Sequence, residues 1–219
     1  MAAPCPHAAR AALRAFALGP DYPCVMAAST ARLDQMTVRT YDALGASSAV
    51  DLARDLAAFA AGPEPERGFR SFAAVFGGEA PPDEVSFEAQ LWETLGAVYE
   101  VDRAPWDPSV SSDPADPSFS FSVGGRAFYV IGMHPNASRP GRRFDRPALL
   151  FNAHDQFETL RREGRYTRIR GAIRDRDTVL AGSVNPMMED FGTRSEARQY
   201  SGRAVEAGWA CPFHAARPD

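Results

Sequence analysis

The chain contains no lysine; all 24 of its basic residues are arginine. That absence excludes a Schiff base with a carbonyl substrate or pyridoxal phosphate, and it excludes a P-loop lysine. Cysteine is almost as scarce, with only Cys5, Cys24 and Cys211 and no CxxC pair. A disulfide-stapled secreted fold therefore has no framework here. No apolar run approaches the ~18 residues that would suggest a membrane span. The opening Met-Ala-Ala-Pro-Cys-Pro-His lacks the charged segment and apolar core of a signal peptide. An excess of positive charge is missing too: the net charge is −4, so no global field gathers nucleic acid. No GxGxxG follows a strand, and neither HExxH nor GxSxG occurs. These absences together predict a cytoplasmic protein in a reducing compartment, with neither a membrane nor a nucleic acid as partner.

What is present suits one globular domain: 219 residues, 45% hydrophobic and 24% charged, enough to bury about 70% of the unfolded surface. Residues 1–20 read as an N-terminal extension with a helix over Ala8–Leu18, stopped by Gly19-Pro20, and 21–219 as the domain proper. Helices are predicted over Thr30–Leu44 and over Val50–Ala61 after Ser47-Ser48. A strand follows over Phe69–Phe76, then a helix begun at Ser86 with Phe87, Leu91, Trp92, Leu95, Val98 and Tyr99 on one face. Four prolines make 102–117 irregular. Phe119, Phe121 and Val123 alternate, Gly124-Gly125 turns the chain, and 127–132 returns as a hairpin partner, with a third strand over Pro147–Phe151. Helices close the chain over Asp155–Glu163, Tyr166–Asp177 and Ser195–Tyr200. The expected class is α+β, a small antiparallel sheet with helices packed around it.

The chemistry concentrates in one polar run, Gly132–Glu158, which leaves a strongly apolar strand. It holds His134 and His154, four arginines (Arg139, Arg142, Arg143, Arg146), and Asp155, Gln156 and Glu158. His134, fixed by Pro135, can ligate a metal, carry a proton or satisfy a carbonyl. Arg139, Arg142 and Arg143 suit carboxylates or haem propionates through bidentate hydrogen bonds. His154 stands at a helix start with no acceptor in the helix and so can face a pocket, while Asn152 and Asp155 read as its caps. Proline stands beside all three cysteines, in Cys5-Pro6, Pro23-Cys24 and Cys211-Pro212, an arrangement that presents a sulfur and also suits an ordinary buried cysteine.

Segments spaced along nine-tenths of the chain carry a resemblance. They are Tyr22-Pro-Cys24, Ser86-Phe-Glu-Ala-Gln-Leu-Trp92, Phe119-Ser-Phe-Ser-Val-Gly-Gly125, Gly132-Met-His-Pro with Ser138-Arg139, and Phe151-Asn-Ala-His-Asp-Gln-Phe157. Asn185-Pro186, Ser195-Glu-Ala-Arg-Gln-Tyr-Ser-Gly-Arg203 and Trp209-Ala-Cys-Pro-Phe213 complete them. The chain resembles the YqcI/YcgG family, in particular its haem-dependent guanidino N-hydroxylases of the guanitoxin-pathway and D-cycloserine-pathway type.

The resemblance implies haem b, O2 as co-substrate, and transfer of one oxygen to a guanidino nitrogen of L-arginine or an arginine-derived guanidine. An external reductase or ferredoxin is implied as electron donor, because the chain has no electron-transfer domain of its own. Catalytic roles fall to His154 and Glu158. Glu196, Glu158 and Asp190 are the candidates for the guanidinium, Glu196 first, and Arg139 or Arg198 for an α-carboxylate. The cofactor is expected to meet Arg139, Arg142 and Arg143, with His134 favoured as the iron ligand and Cys211, His154 and Cys24 as alternatives. Two other readings compete: oxygenation of a different amine, and a haem-binding sensor or carrier without turnover.

Overall fold

The structure, a computed structural model, describes residues 2–20, 22–187 and 189–215. Its centre is a five-stranded sheet in the order β1-β2-β5-β4-β3. The strands are β1 (Met36–Tyr41), β2 (Ser71–Phe76), β3 (Phe121–Val123), β4 (Arg126–Met133) and β5 (Ala148–Ala153). β1 and β2 run parallel, and the other neighbours are antiparallel. The α+β class holds, with a sheet that is mostly rather than wholly antiparallel. The parallel pair exists because α3 (Ala49–Ala60) crosses between β1 and β2, a connection that a two-residue turn cannot make.

β2 is buried along its whole length, as a central strand covered on both faces should be. Its alternation divides the core in two. Phe72, Ala74 and Phe76 join one cluster, which α3 and α4 (Glu84–Val101) fill with Leu52, Leu56, Leu91 and Leu95. Ala73 and Val75 join the other, covered by α1 (Pro6–Ala17) through Ala9, Leu13 and Ala17. The N-terminal segment is thus helical, and its helix is part of the second core.

Residues 30–44 differ from the sequence reading. The helix there is short, α2 (Val25–Arg32), and the chain then turns through Asp34 at φ 58° into β1. Thr37, Val38 and Thr40 carry β-branched side chains that fit a pleated surface, and pairing with β2 overrides the helical spacing. The start of α4 also differs: Asp83 is its cap, its Oδ1 accepting from the Ser86 N–H at 2.7 Å. Neither Asn152 nor Asp155 caps α5 (His154–Arg162), whose N-cap is Ala153. Asn152 sits in β5 and accepts from Ser71 Oγ at 2.6 Å, while Asp155 pairs with Arg126 at 2.7 Å. The chain continues through α6 (Tyr166–Ala181) and the short α7 (Ala197–Tyr200).

Candidate functional site

On the second face of the sheet, beyond α1, side chains do not fill the space. A cavity of about 210 Å³ lies against Tyr129, Ile131, Leu150 and Asn152 of β4 and β5, with residues of α2, α5, α6 and the α6–α7 connection around it. Its position follows from strand parity. Ile131 and Met133 pack with the second core, so Tyr129, two residues earlier, shares their face. Helix α6 lends the cavity Tyr166, Ile169, Arg170, Ile173 and Asp177, a stripe at helical spacing. Asp177 is the one fully buried side chain in that helix, so α6 covers a hollow more than it packs a core.

The structure brings together in this cavity Cys24, Arg139, Arg142, His154, Asp190 and Glu196. Cys24 is the N-cap of α2, and its sulfur accepts a hydrogen bond from the Ala27 N–H at 3.4 Å. Burial raises its thiol pKa, against the pull of the helix N–H groups and of Arg142. His154 is buried, its ring centroid 4.3 Å from that of Phe191, with Nε2 3.4 Å from Glu158 Oε1. Burial lowers its pKa more than Glu158 raises it, which favours neutral imidazole. Glu158 is not itself in the wall; it joins His154 to Arg161, with which it forms a close ion pair.

The charged groups of the wall fall into two kinds. Asp177 pairs with Arg139 at 2.7 Å, Glu189 with Arg194 at 3.5 Å, and Asp190 with Arg170. Glu196 has no arginine partner among the described residues; its Oε1 accepts from Ser120 Oγ and from the Tyr200 hydroxyl, both at 2.6 Å. Burial raises its pKa from 4.5 to about 8, with the two hydroxyls and Arg161 opposing. Arg142 is the complement: it donates to the carbonyls of Gly132, Gln199 and Tyr200 and forms no ion pair among the described residues. Among the described residues, one wall thus offers an acid without an ion-paired cation and a cation without an ion-paired acid.

Besides Glu158, four predicted residues lie outside the cavity. His134 is fully buried on the other face, stacked on Phe87 of α4 at 4.3 Å, with neither ring nitrogen hydrogen-bonded among the described residues. Arg143 donates to the carbonyls of Ala137 and Ser138 and braces its own loop. Arg198 donates to the carbonyls of Val205, Glu206 and Trp209, holding the C-terminal segment in place. Cys211 packs against the aromatic core, its pKa raised to about 12 by burial. The sequence reading missed Tyr129, Arg161 and Tyr166, which lie in β4, α5 and α6 with no shared spacing. It missed Tyr22 and Ser120 too, although each stands inside one of the segments of the resemblance.

No three His, Cys, Asp or Glu side chains converge to hold a bare metal ion among the described residues. A haem iron requires only one protein ligand. Cys24 supplies a sulfur at a helix N-terminus, whose N–H groups offset part of the burial that raises its thiol pKa, and His154 supplies an imidazole. Arg142 offers an unneutralised cation for an anionic group, and aromatic and aliphatic side chains make up much of the remaining wall. For a haem, the wall supplies two candidate iron ligands, Cys24 and His154, and one cation, Arg142, for a propionate.

Fold and cavity together define a single-domain α+β protein with a cavity of about 210 Å³ on one sheet face. The chain belongs to the YqcI/YcgG family, whose model matches residues 13–214. No curated protein and no solved structure matches it. No helix among the described residues is long and apolar enough to cross a membrane.

Proposed function

We propose that the protein is a haem-dependent N-hydroxylase acting on the guanidino group of L-arginine or an arginine-derived guanidine. The observation that carries this reading is the meeting of Cys24, His154 and an arginine-free Glu196 in one buried cavity. The family resemblance seen in the sequence supports it. When bound, haem b activates O2 and delivers one oxygen atom, with electrons from an external reductase or ferredoxin.

Cys24 holds the iron in this proposal, in place of His134, which faces α4. The N–H of Ala27 and the N-terminus of α2 stabilise negative charge on its sulfur. Arg142, whose partners among the described residues are all carbonyls, holds an anionic group, a propionate or the substrate α-carboxylate. Arg139 is less suited, because Asp177 already neutralises it. Glu196 binds the guanidinium, the one cavity carboxyl among the described residues free to do so without giving up an arginine. His154, neutral and tied to Glu158, moves a proton at Nε2. The apolar side chains of α6 exclude water from the reacting group.

The test is incubation of the haem-loaded protein with a panel of guanidines, O2 and a reductase, read by mass spectrometry. A product heavier by one oxygen is expected. No such product and no substrate-induced spectral shift across the panel contradicts the proposal.

A further inference from the structure

Resting on the guanidino reading above, we infer that Glu196 is a proton-gated cation anchor: neutral in the empty cavity, it surrenders its proton to solvent when a guanidinium arrives. The step balances simply. The Glu196 O–H bond breaks, the proton leaves to buffer, and the carboxylate pairs with a cation that keeps all its own protons.

The geometry argues for this directly. Glu196 is buried, and both of its hydrogen bonds fall on Oε1, leaving Oε2 without a partner among the described residues. An ionised carboxylate out of water needs a counter-charge, and without one it takes up a proton instead. The other carboxylates of the wall among the described residues, Asp177, Glu189 and Asp190, each have an arginine. The titratable groups that bear on Glu196 are Tyr200 of α7, Tyr129 of β4 and Arg161 of α5. Arg161 is itself taken by Glu158, and the two tyrosines supply no positive charge. Its pKa of about 8 agrees with that setting. A guanidinium stays charged throughout the working pH range, so it delivers the missing charge. A urea of the same shape does not, and it meets the neutral acid with no proton lost.

Calorimetric titration with L-arginine and L-citrulline, in buffers of different ionisation enthalpy, counts the protons. Arginine should release roughly 0.9 proton at pH 7, the fraction of carboxyl still protonated one unit below its pKa. At pH 9 the release should fall to roughly 0.1. Arginine affinity should rise roughly tenfold from pH 6 to pH 7, since proton and cation compete for one carboxyl. Citrulline should release no proton at either pH. In Glu196→Gln the release and the pH dependence should both vanish. Ser120→Ala, which removes one hydroxyl that opposes protonation, keeps the anchor and should move the release to higher pH.

Arginine that binds at pH 7 without releasing a proton overturns this inference and leaves the guanidino reading standing. Arginine that does not bind overturns both. Release that persists in Glu196→Gln, or an unmoved profile in Ser120→Ala, assigns the proton elsewhere and overturns the inference alone.

Discussion

Glu196 illustrates how much the surroundings of one side chain change its chemistry. Its folded pKa stands above its ordinary value, about 8 against 4.5. Between those two values the native state therefore holds a proton that the unfolded chain has lost. Stability must fall as pH rises through that window and level off above it. Glu196→Gln should flatten this part of the profile, measured by urea denaturation from pH 4 to 9; an unchanged slope would place the proton elsewhere. The same substitution should weaken arginine binding by roughly 30-fold or more above pH 8, since truncating one partner of a buried charge pair costs about 2–5 kcal/mol. His154 differs in kind, because burial keeps it neutral and ready to accept a proton. His154→Ala should cut turnover by roughly 100-fold or more while the optical spectrum of the bound haem stays the same. Loss of the haem in that variant would make His154 the ligand and remove Cys24 from that role.

At the scale of elements, periodicity was a good guide wherever one face was buried. The 87–99 stripe of α4, the 119–132 hairpin and α5 through α7 all stand close to where their patterns put them. It failed over 30–44 because pairing with β2 is a long-range event that no local spacing records. Asp34, at the turn into β1, holds φ at 58°, which aspartate tolerates and a β-branched residue does not. Asp34→Val should lose about 1–2 kcal/mol in a denaturant titration, and Asp34→Gly should not lose that much; equal losses would deny the turn its role.

The site was legible in composition but not in assembly. The polar run did contain His154, Arg139 and Arg142, yet strand parity sends Gly132 and His134 to the α4 face while Tyr129 and Ile131 turn to the cavity. Cys24 and Glu196 come from opposite ends of the chain, and only the folded sheet brings them together. Gly132 marks where β4 meets its neighbours most closely. A methyl there would stand 2.7 Å from the Phe87 ring and 2.8 Å from the Tyr200 carbonyl oxygen. Gly132→Ala should therefore cost about 1–3 kcal/mol of stability, again by denaturant titration, and a neutral result would show that α4 and α7 can yield.

For the whole molecule, the absence of lysine and the scarcity of cysteine narrow the chemistry before any fold is known. Fixed cationic contacts must come from arginine, and a thiolate ligand can come from only three positions. The fold places one of those three, Cys24, in the wall of the cavity, and buries Cys211 against the aromatic core. The proposed function rests first of all on this cavity holding a haem through Cys24. The most direct measurement is the optical spectrum of the purified, haem-titrated protein, reduced and exposed to CO, beside that of Cys24→Ser. The wild type should bind one haem per chain and show the red-shifted Soret band of thiolate ligation, and the variant should lose it. A protein that stays colourless after titration, or a thiolate-type band that survives in Cys24→Ser, would contradict the account.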